Sequence, residues 1–252
     1  MHHRVGRRLK PSRNYGAPVS ADPSLRDVVT VTGADARQYL HSQIAQDVQA
    51  MAPGESRWTL VLQPNGRVDV LARIRCVDDE TFELDTEAGF GDELAARLNR
   101  FRIRVAAEIA TSQRELDGTG LCGWWGTGEW DPGVGYEERR IAAGWPAMGS
   151  EIVPGERIPA EVGVVSAAVS LTKGCYPGQE LVERMDSRGS QAPNQLRILD
   201  VADDAKPSDP ITDPAVAEGD AVGVLTSVAG GKALGYVRRG SAVGHAPGGP
   251  NP

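Results

Sequence analysis

The sequence predicts an α+β fold that ends in a small all-β unit. Two observations carry this. Between Val28 and Ile109, stretches of strand-like and helix-like period follow one another as strand, helix, three strands, helix, strand. That order describes a ferredoxin-like unit with one extra strand. From Leu196 the helical period is gone, and short apolar runs with turn signals between them describe a compact barrel. A chain of 252 residues is long enough to hold such modules and bury a core.

Taken in order, residues 1–24 are a basic flexible tail, with Arg4, Arg7, Arg8, Lys10 and Arg13 among polar residues and no periodicity. It is either a solvated tail or an arm for RNA or an acidic partner. Residues 25–115 form the first unit. Val28 to Val31 is a short buried strand. Thr32 is the expected N-cap of the next helix, with Asp35 three residues on in the manner of a capping box. Tyr39, Leu40, Ile44 and Val48 give that helix its apolar face. Trp58 to Leu62 and Arg67 to Val77 are strands around the turn Pro64-Asn65-Gly66. In the second of these Val68, Val70, Ala72 and Ile74 alternate with Arg67, Asp69, Arg73 and Arg75, which predicts one polar face. Thr81 to Asp85, a helix over Phe90 to Phe101, and a strand over Ile103 to Ile109 complete the unit.

Residues 116–192 form a second α+β unit. It opens on a loop rich in Gly and Trp (Trp124, Trp125, Trp130), read either as aromatic packing or as a ligand-stacking surface. A short helix over Glu137 to Ala143 follows. Residues 193–243 are the all-β unit: a strand over Leu196 to Val201, a long exposed acidic loop over Asp203 to Asp220, and two strands joined at Gly230-Gly231. Residues 244–252 are a tail.

Composition narrows the function. The formal charge of −7 argues against a general nucleic-acid binder, and no apolar run is long enough to span a bilayer. The cysteines, Cys76, Cys122 and Cys175, are odd in number and without a C-x-x-C pair, which points to a reducing cytoplasm. Cys76 and Cys122 read as core residues. There is no phosphate-binding glycine loop, no H-E-x-x-H and no zinc spacing. Histidine is scarce, so a Cys-His engine would have to use His41, which reads as a surface or satisfied residue on its helix. One reactive cysteine cannot hold an iron–sulfur cluster, so no metal is expected on this chain alone.

What remains is the run Lys173-Gly174-Cys175-Tyr176-Pro177-Gly178-Gln179-Glu180. It is either a plain turn or a site. As a site, Lys173 is a cation close enough in sequence to Cys175 to favour the thiolate. Gly174 and Gly178 let backbone approach a planar ligand. Tyr176 can stack, Gln179 and Glu180 can read the edge of a heterocycle, and Arg184 can pair with Glu180 or with a ligand carboxylate.

This run resembles the K-G-C-Y-x-G-Q-E signature of the YgfZ family, folate-binding relatives of the glycine-cleavage T-protein (aminomethyltransferase) that are implicated in maintaining iron–sulfur enzymes, some of them tRNA-modifying. Val31-Thr32-Gly33-Ala34-Asp35-Ala36, Tyr39 to Gln43, Gln46-Asp47-Val48, Gln63 to Val68 and Ile158 to Gly163 are similar to further segments of that family. The resemblance covers roughly residues 28–240. It implies two ferredoxin-like units and a C-terminal β-barrel in a ring, with a folate-sized channel between them. It implies a tetrahydrofolate-type ligand, Cys175 as reactive thiol with Lys173 as activator, and iron–sulfur client enzymes as partners of a cytoplasmic monomer with no turnover of its own. Ala142, in Arg140-Ile141-Ala142-Ala143-Gly144, stands where many relatives carry the acidic residue that holds the pterin. Asp69 falls near the acidic pair of the T-protein and is either a channel ligand or a solvated strand residue. Two further readings stand beside this one: a folate-dependent aminomethyl- or methyltransferase, and a binding scaffold without folate.

Overall fold

The computed structural model describes residues 22–187, 192–216 and 220–248. The expected order of the first unit is present: β1 (Leu25–Thr32), α1 (Ala36–Gln43), β2 (Ser56–Leu62), β3 (Val68–Cys76), β4 (Thr81–Glu87), α2 (Gly91–Asn99) and β5 (Glu108–Glu115). The strands make one antiparallel sheet in the order β2-β3-β4-β1-β5. Val29 lies opposite Leu84 and Val31 opposite Phe82, so one face of β1 and β4 is a continuous apolar surface. Leu40 of α1 and Leu94 and Leu98 of α2 belong to the same buried cluster. Local details differ from the sequence reading. Thr32 and Asp35 form no capping box. Asp35 is the N-cap without a side-chain cap bond, and its carboxylate instead accepts from the Ala106 N–H at 2.7 Å. β5 starts at Glu108, and Ile103 stands in an exposed loop before it.

Of the polar face expected of β3, Arg67 is exposed and Arg75 half-buried, but Asp69 and Arg73 do not meet water. Asp69 is 3% exposed and Arg73 0%. The chain from Leu121 to Val169 lies over that face. The Trp58 indole N–H donates to the Gly123 carbonyl at 2.8 Å, the Trp58 and Trp145 rings are 4.7 Å apart, and the β3 end is held by Val68–Gly155 and Val68–Arg157 main-chain bonds. Buried charge on this face is paired: Asp85 accepts from Arg73 Nε at 2.9 Å and from Arg26 Nε at 3.0 Å. The Arg73 guanidinium also lies 4.4 Å from the Trp130 ring centre.

The second ferredoxin-like unit expected here is not formed. Among the described residues, 116–192 carry helices and turns: α3 (Tyr136–Ala142), α4 (Pro159–Val162), α5 (Val165–Ala168) and α6 (Gln179–Ser187), with only single strand bridges at Cys122–Glu129 and Met148–Ile152. The reason lies in where its apolar residues go. Trp145, Met148, Ile152, Val162 and Val164 join the buried cluster of the first sheet, so they serve as its cover and do not build a sheet of their own.

At the C-terminal end β6 (Asn194–Asp200), β7 (Pro210–Thr212), β8 (Ala221–Ala229) and β9 (Lys232–Arg238) form an antiparallel sheet in the order β6-β9-β8-β7. No closed barrel is present among the described residues: β6 and β7 are edges, and β7, three residues long, is too short to close the sheet. β7 lies inside the segment expected as an exposed loop, because Ile211 packs with Leu199, Leu225 and Val237. The other face, with Leu196, Ile198, Leu234 and Tyr236, joins the main core. Gly230 (φ 58°) and Gly231 (φ 71°) supply the expected tight hairpin between β8 and β9. His245, in the stretch expected as a tail, pairs with Ile198 of β6. The basic segment 1–24 lies outside the described residues up to position 21.

Candidate functional site: a thiol loop and a separate cavity

The signature forms the loop between α5 and α6. Its cation is turned into the protein. Lys173 Nζ donates to the carbonyls of Ile44 (2.6 Å) and Gln46 (3.2 Å), just beyond α1, and to that of His41 in its last turn, a carbonyl left without a helical partner. Burial pushes the Lys173 amine down to about 8, with Asp47 acting the other way. The ammonium lies 5.0 Å from the Tyr176 ring centre. Tyr176 is buried, and burial followed by the charge of Glu183 pushes its phenol up to about 12. Gln179 turns back to accept from the Tyr176 N–H at 2.9 Å, which closes the loop onto the start of α6.

Gly178 packs against protein. It has φ 85°, and a Cβ there would stand 2.5 Å from the Gln63 carbonyl oxygen. Across the same seam Gly66 faces Leu181. The loop is thereby locked to the β2–β3 turn. Cys175 is exposed, whereas Cys76 is buried and Cys122 half-buried. Glu180 and Arg184 are both exposed, and among the described residues no ion pair joins them. Gly174 has the His41 Nε2 as its nearest neighbour, 3.9 Å from an added Cβ. From sequence His41 reads as a surface or satisfied residue; the scarcity of histidine is the signal that points to it.

Asp69 is not solvated. Gln63 Nε2 donates to its Oδ1 at 2.6 Å, and Arg97 Nε is 3.9 Å from its Oδ2. Burial pushes its carboxyl pKa up, against Gln63 and Arg97. Gln63 therefore touches Asp69 with its amide and Gly178 with its carbonyl, so it links the two candidate regions.

A cavity of about 750 Å³ lies elsewhere, between the β1 start, the β4 end, α3 and the β8 end. Arg26, Glu87, Tyr136, Glu137, Arg140 and Ala147 line it; Asp69 and the signature residues do not. Its cations are paired: Arg26 with Asp85 and Glu87, Arg140 with Glu137 and Glu151. Burial opposes the Arg140 charge, but Glu151 and Glu137 outweigh it and raise its pKa. Glu151 also accepts from Thr226 and Ser227, each at 2.6 Å, so this network fastens α3 to β8. Ala142 is exposed on α3 and does not line the cavity. The rings of the Trp-rich loop pack on neighbouring rings, Trp125 on Trp145 at 5.3 Å and Trp124 on Tyr136 at 5.2 Å, and Trp124, Trp125 and Trp130 also line a small surface pocket. Among the described residues no cluster of His, Cys, Asp and Glu is placed to hold a metal ion, and no helix is long and apolar enough to cross a membrane.

No family model matches the sequence. An uncharacterized protein of Haemophilus influenzae is 28% identical over 192 residues, 65% of this chain and 67% of that one. A chloroplastic candidate transferase of Arabidopsis thaliana is 33% identical over 116 residues, 42% of this chain and 24% of its own length, so this chain spans about a quarter of it. Among solved structures, the glycine cleavage system aminomethyltransferase T of Bartonella henselae superposes with a TM-score of 0.64 at 17% identity, over 84% of this chain and 76% of that one. The chain thus has the fold of a glycine-cleavage T-protein.

Proposed function

We propose that the chain is a folate-binding accessory protein of the YgfZ type, cytoplasmic and monomeric, which supports the assembly or repair of iron–sulfur enzymes, tRNA-modifying ones among them. The observation that carries this reading is the signature loop: an exposed Cys175 on a loop locked at Lys173 and Gly178, on a T-protein fold. Cys175 is the working thiol. Lys173 contributes its charge and holds the loop, and Tyr176, Gln179 and Glu180 shape it. We read the first sheet, the helices and turns of residues 116–192 that cover it, and the C-terminal sheet as set in a ring around the cavity.

The cavity fits the head group of a tetrahydrofolate. Its volume of about 750 Å³ suits a drug-sized ligand. A pterin needs acceptors for its N–H edge, and Glu87 and Glu137 line the cavity with the Tyr136 ring beside them. These residues would hold it; bound there, it would supply one-carbon chemistry. Two measurements test the reading. Calorimetric titration with tetrahydrofolate gives heat in the micromolar range that Ser150→Trp, at the cavity wall, abolishes. Cys175→Ala keeps the fold but no longer sustains the client enzyme; full complementation by it would remove the thiol role.

Asp69 favours a second reading, a folate-dependent aminomethyltransferase, because a buried carboxyl inclined to keep its proton suits acid–base work. Transfer of a one-carbon unit from an amine donor to tetrahydrofolate by the pure protein would put this reading first.

A further inference from the structure

The wall of the cavity holds a polar group that the fold leaves unsatisfied. Arg26 lines this cavity and is 2% exposed. Its Nε donates to Asp85 Oδ1 at 3.0 Å, and its Nη1 lies 3.4 Å from Glu87 Oε1. Its Nη2 is buried and has no hydrogen-bond partner among the described residues. The Trp130 ring, its centre 5.4 Å from the guanidinium carbon, offers a π face and no lone pair. A buried donor left this way is costly, so an acceptor brought against it by a ligand is rewarded.

The rest of the wall decides which acceptor fits. Asp22, Glu87, Glu137 and Glu138 line the cavity together with Arg26 and Arg140, and both cations are already paired with carboxylates. A ligand carboxylate would meet like charge here, so the acceptor that fits is a neutral carbonyl. Glu87 stands directly opposite Arg26 in the β1–β4 pairing, so two rigid strands present a donor and an acceptor side by side. Such a pair matches a carbonyl beside an N–H, which is the edge of a cyclic amide.

We propose that Arg26 and Glu87 are a specificity pair that reads the cyclic-amide edge of the ligand: Arg26 donates to the ring carbonyl, and Glu87 accepts from the adjoining ring N–H. The inference rests on the reading of this cavity as the seat of a tetrahydrofolate head group, whose pterin ring carries such an edge. It turns that edge toward β1 and β4. No covalent bond is made or broken by the pair.

The test is calorimetric titration of the full chain with tetrahydrofolate and with its analogue in which an amino group replaces that ring carbonyl. The amino group brings no acceptor to Arg26, and the adjoining N–H is lost, so both halves of the pair go unanswered. The wild-type chain should bind the analogue about tenfold more weakly or worse, as a site built around a ligand's hydrogen bonds rejects one that lacks them. Arg26→Met should bring the two affinities together; Asp85 keeps its bonds from Arg73 in that variant. Equal affinities in the wild type, or tighter binding of the analogue, overturn the proposal and leave the folate reading standing. An Arg26→Met chain that melts as wild type and stays as selective overturns it too. Where Arg26→Met melts lower, the wild-type comparison decides, since it needs no variant. Silence with both ligands removes the folate reading, and the role of this pair with it.

Discussion

The ammonium of Lys173 donates to the main-chain carbonyl of Ile44 at 2.6 Å, across 129 residues of chain. The cation of the signature is thus the clamp between its loop and the end of α1. Lys173→Met keeps the alkyl stem and removes the donor, leaving the carbonyls of His41, Ile44 and Gln46 without their partner. We expect a loss of about 1.5–3 kcal/mol, read by urea unfolding. The clamp also carries a pH signature. Its folded pKa of about 8 lies below the ordinary 10.5, so between those values the unfolded chain binds more protons. This group's contribution to stability is flat below about pH 8 and rises from there to 10.5; the amine that remains still donates. The rise should vanish in Lys173→Met. A Lys173 titration near 10.5 by NMR would contradict the buried clamp.

Gly178 and Gly231 separate two reasons for glycine. Both have positive φ, but a Cβ at Gly231 meets nothing within 4 Å, whereas at Gly178 it meets the Gln63 carbonyl oxygen at 2.5 Å. Gly231→Ala should cost about 1 kcal/mol, from backbone strain alone. Gly178→Ala adds a backbone clash and should cost about 3 kcal/mol or more, roughly 6–12 °C in Tm for a chain of this size. Equal melting of the two variants would mean that the signature loop is not fixed to the β2–β3 turn.

These seams explain what could be read from sequence. The element order of the first sheet was legible because Val29, Val31, Phe82 and Leu84 alternate locally, and the β8–β9 hairpin because Gly230-Gly231 is a local signal. The burial of Asp69 and Arg73 was not legible. Their alternation with Val68, Val70 and Ala72 reads as a wet face, but Asp69 is enclosed beside Gln63 and Arg97, and Arg73 beside Asp85 and the Trp58 and Trp130 rings, several of them distant in the chain. Trp145, Met148 and Ile152, which join the buried cluster of the first sheet, explain why the second unit is not a second sheet. In the site, the exposure of Cys175 fits the signature, but Lys173 finds its acceptors, and Gly174 its His41 neighbour, far away in the chain. The cavity has no motif at all, because its walls come from residues as distant as Arg26, Tyr136 and Ala229.

Asp69 gives a prediction of opposite sign to that of Lys173. Its folded carboxyl pKa is raised above the ordinary 3.8, so in the window from 3.8 up to that raised value the folded chain binds more protons than the unfolded one. Stability from this group is present below that window and is lost as pH rises through it. Asp69→Asn, which keeps the Gln63 contact and cannot ionise, should remove that loss and be as stable as wild type or more so at pH 7. Chemical unfolding at pH 4 and at pH 7 checks this. An Asn variant that is much less stable at both pH values would mean that the carboxylate is held charged by Arg97.

Arg140 and Glu151 are both about 1% exposed and meet at 2.9 Å, with Ser227 bonded to both. This network joins α3, under the cavity, to β8 of the C-terminal sheet. Arg140→Met strands the buried Glu151 charge and should cost about 3–5 kcal/mol, and Glu151→Met, which leaves Arg140 only its half-exposed partner Glu137, should cost up to about as much. Removing both ends together should cost clearly less than the two single losses added, because neither charge is then stranded. The readout is a double-mutant cycle of Arg140→Met and Glu151→Met by guanidinium unfolding, with tetrahydrofolate binding measured on each variant. The cavity wall depends on the position of α3, so the single variants should lose affinity along with stability, and the double variant should regain part of both. Strictly additive losses would show that the two side chains act independently, and the α3–β8 junction would then have to be held by its apolar contacts alone.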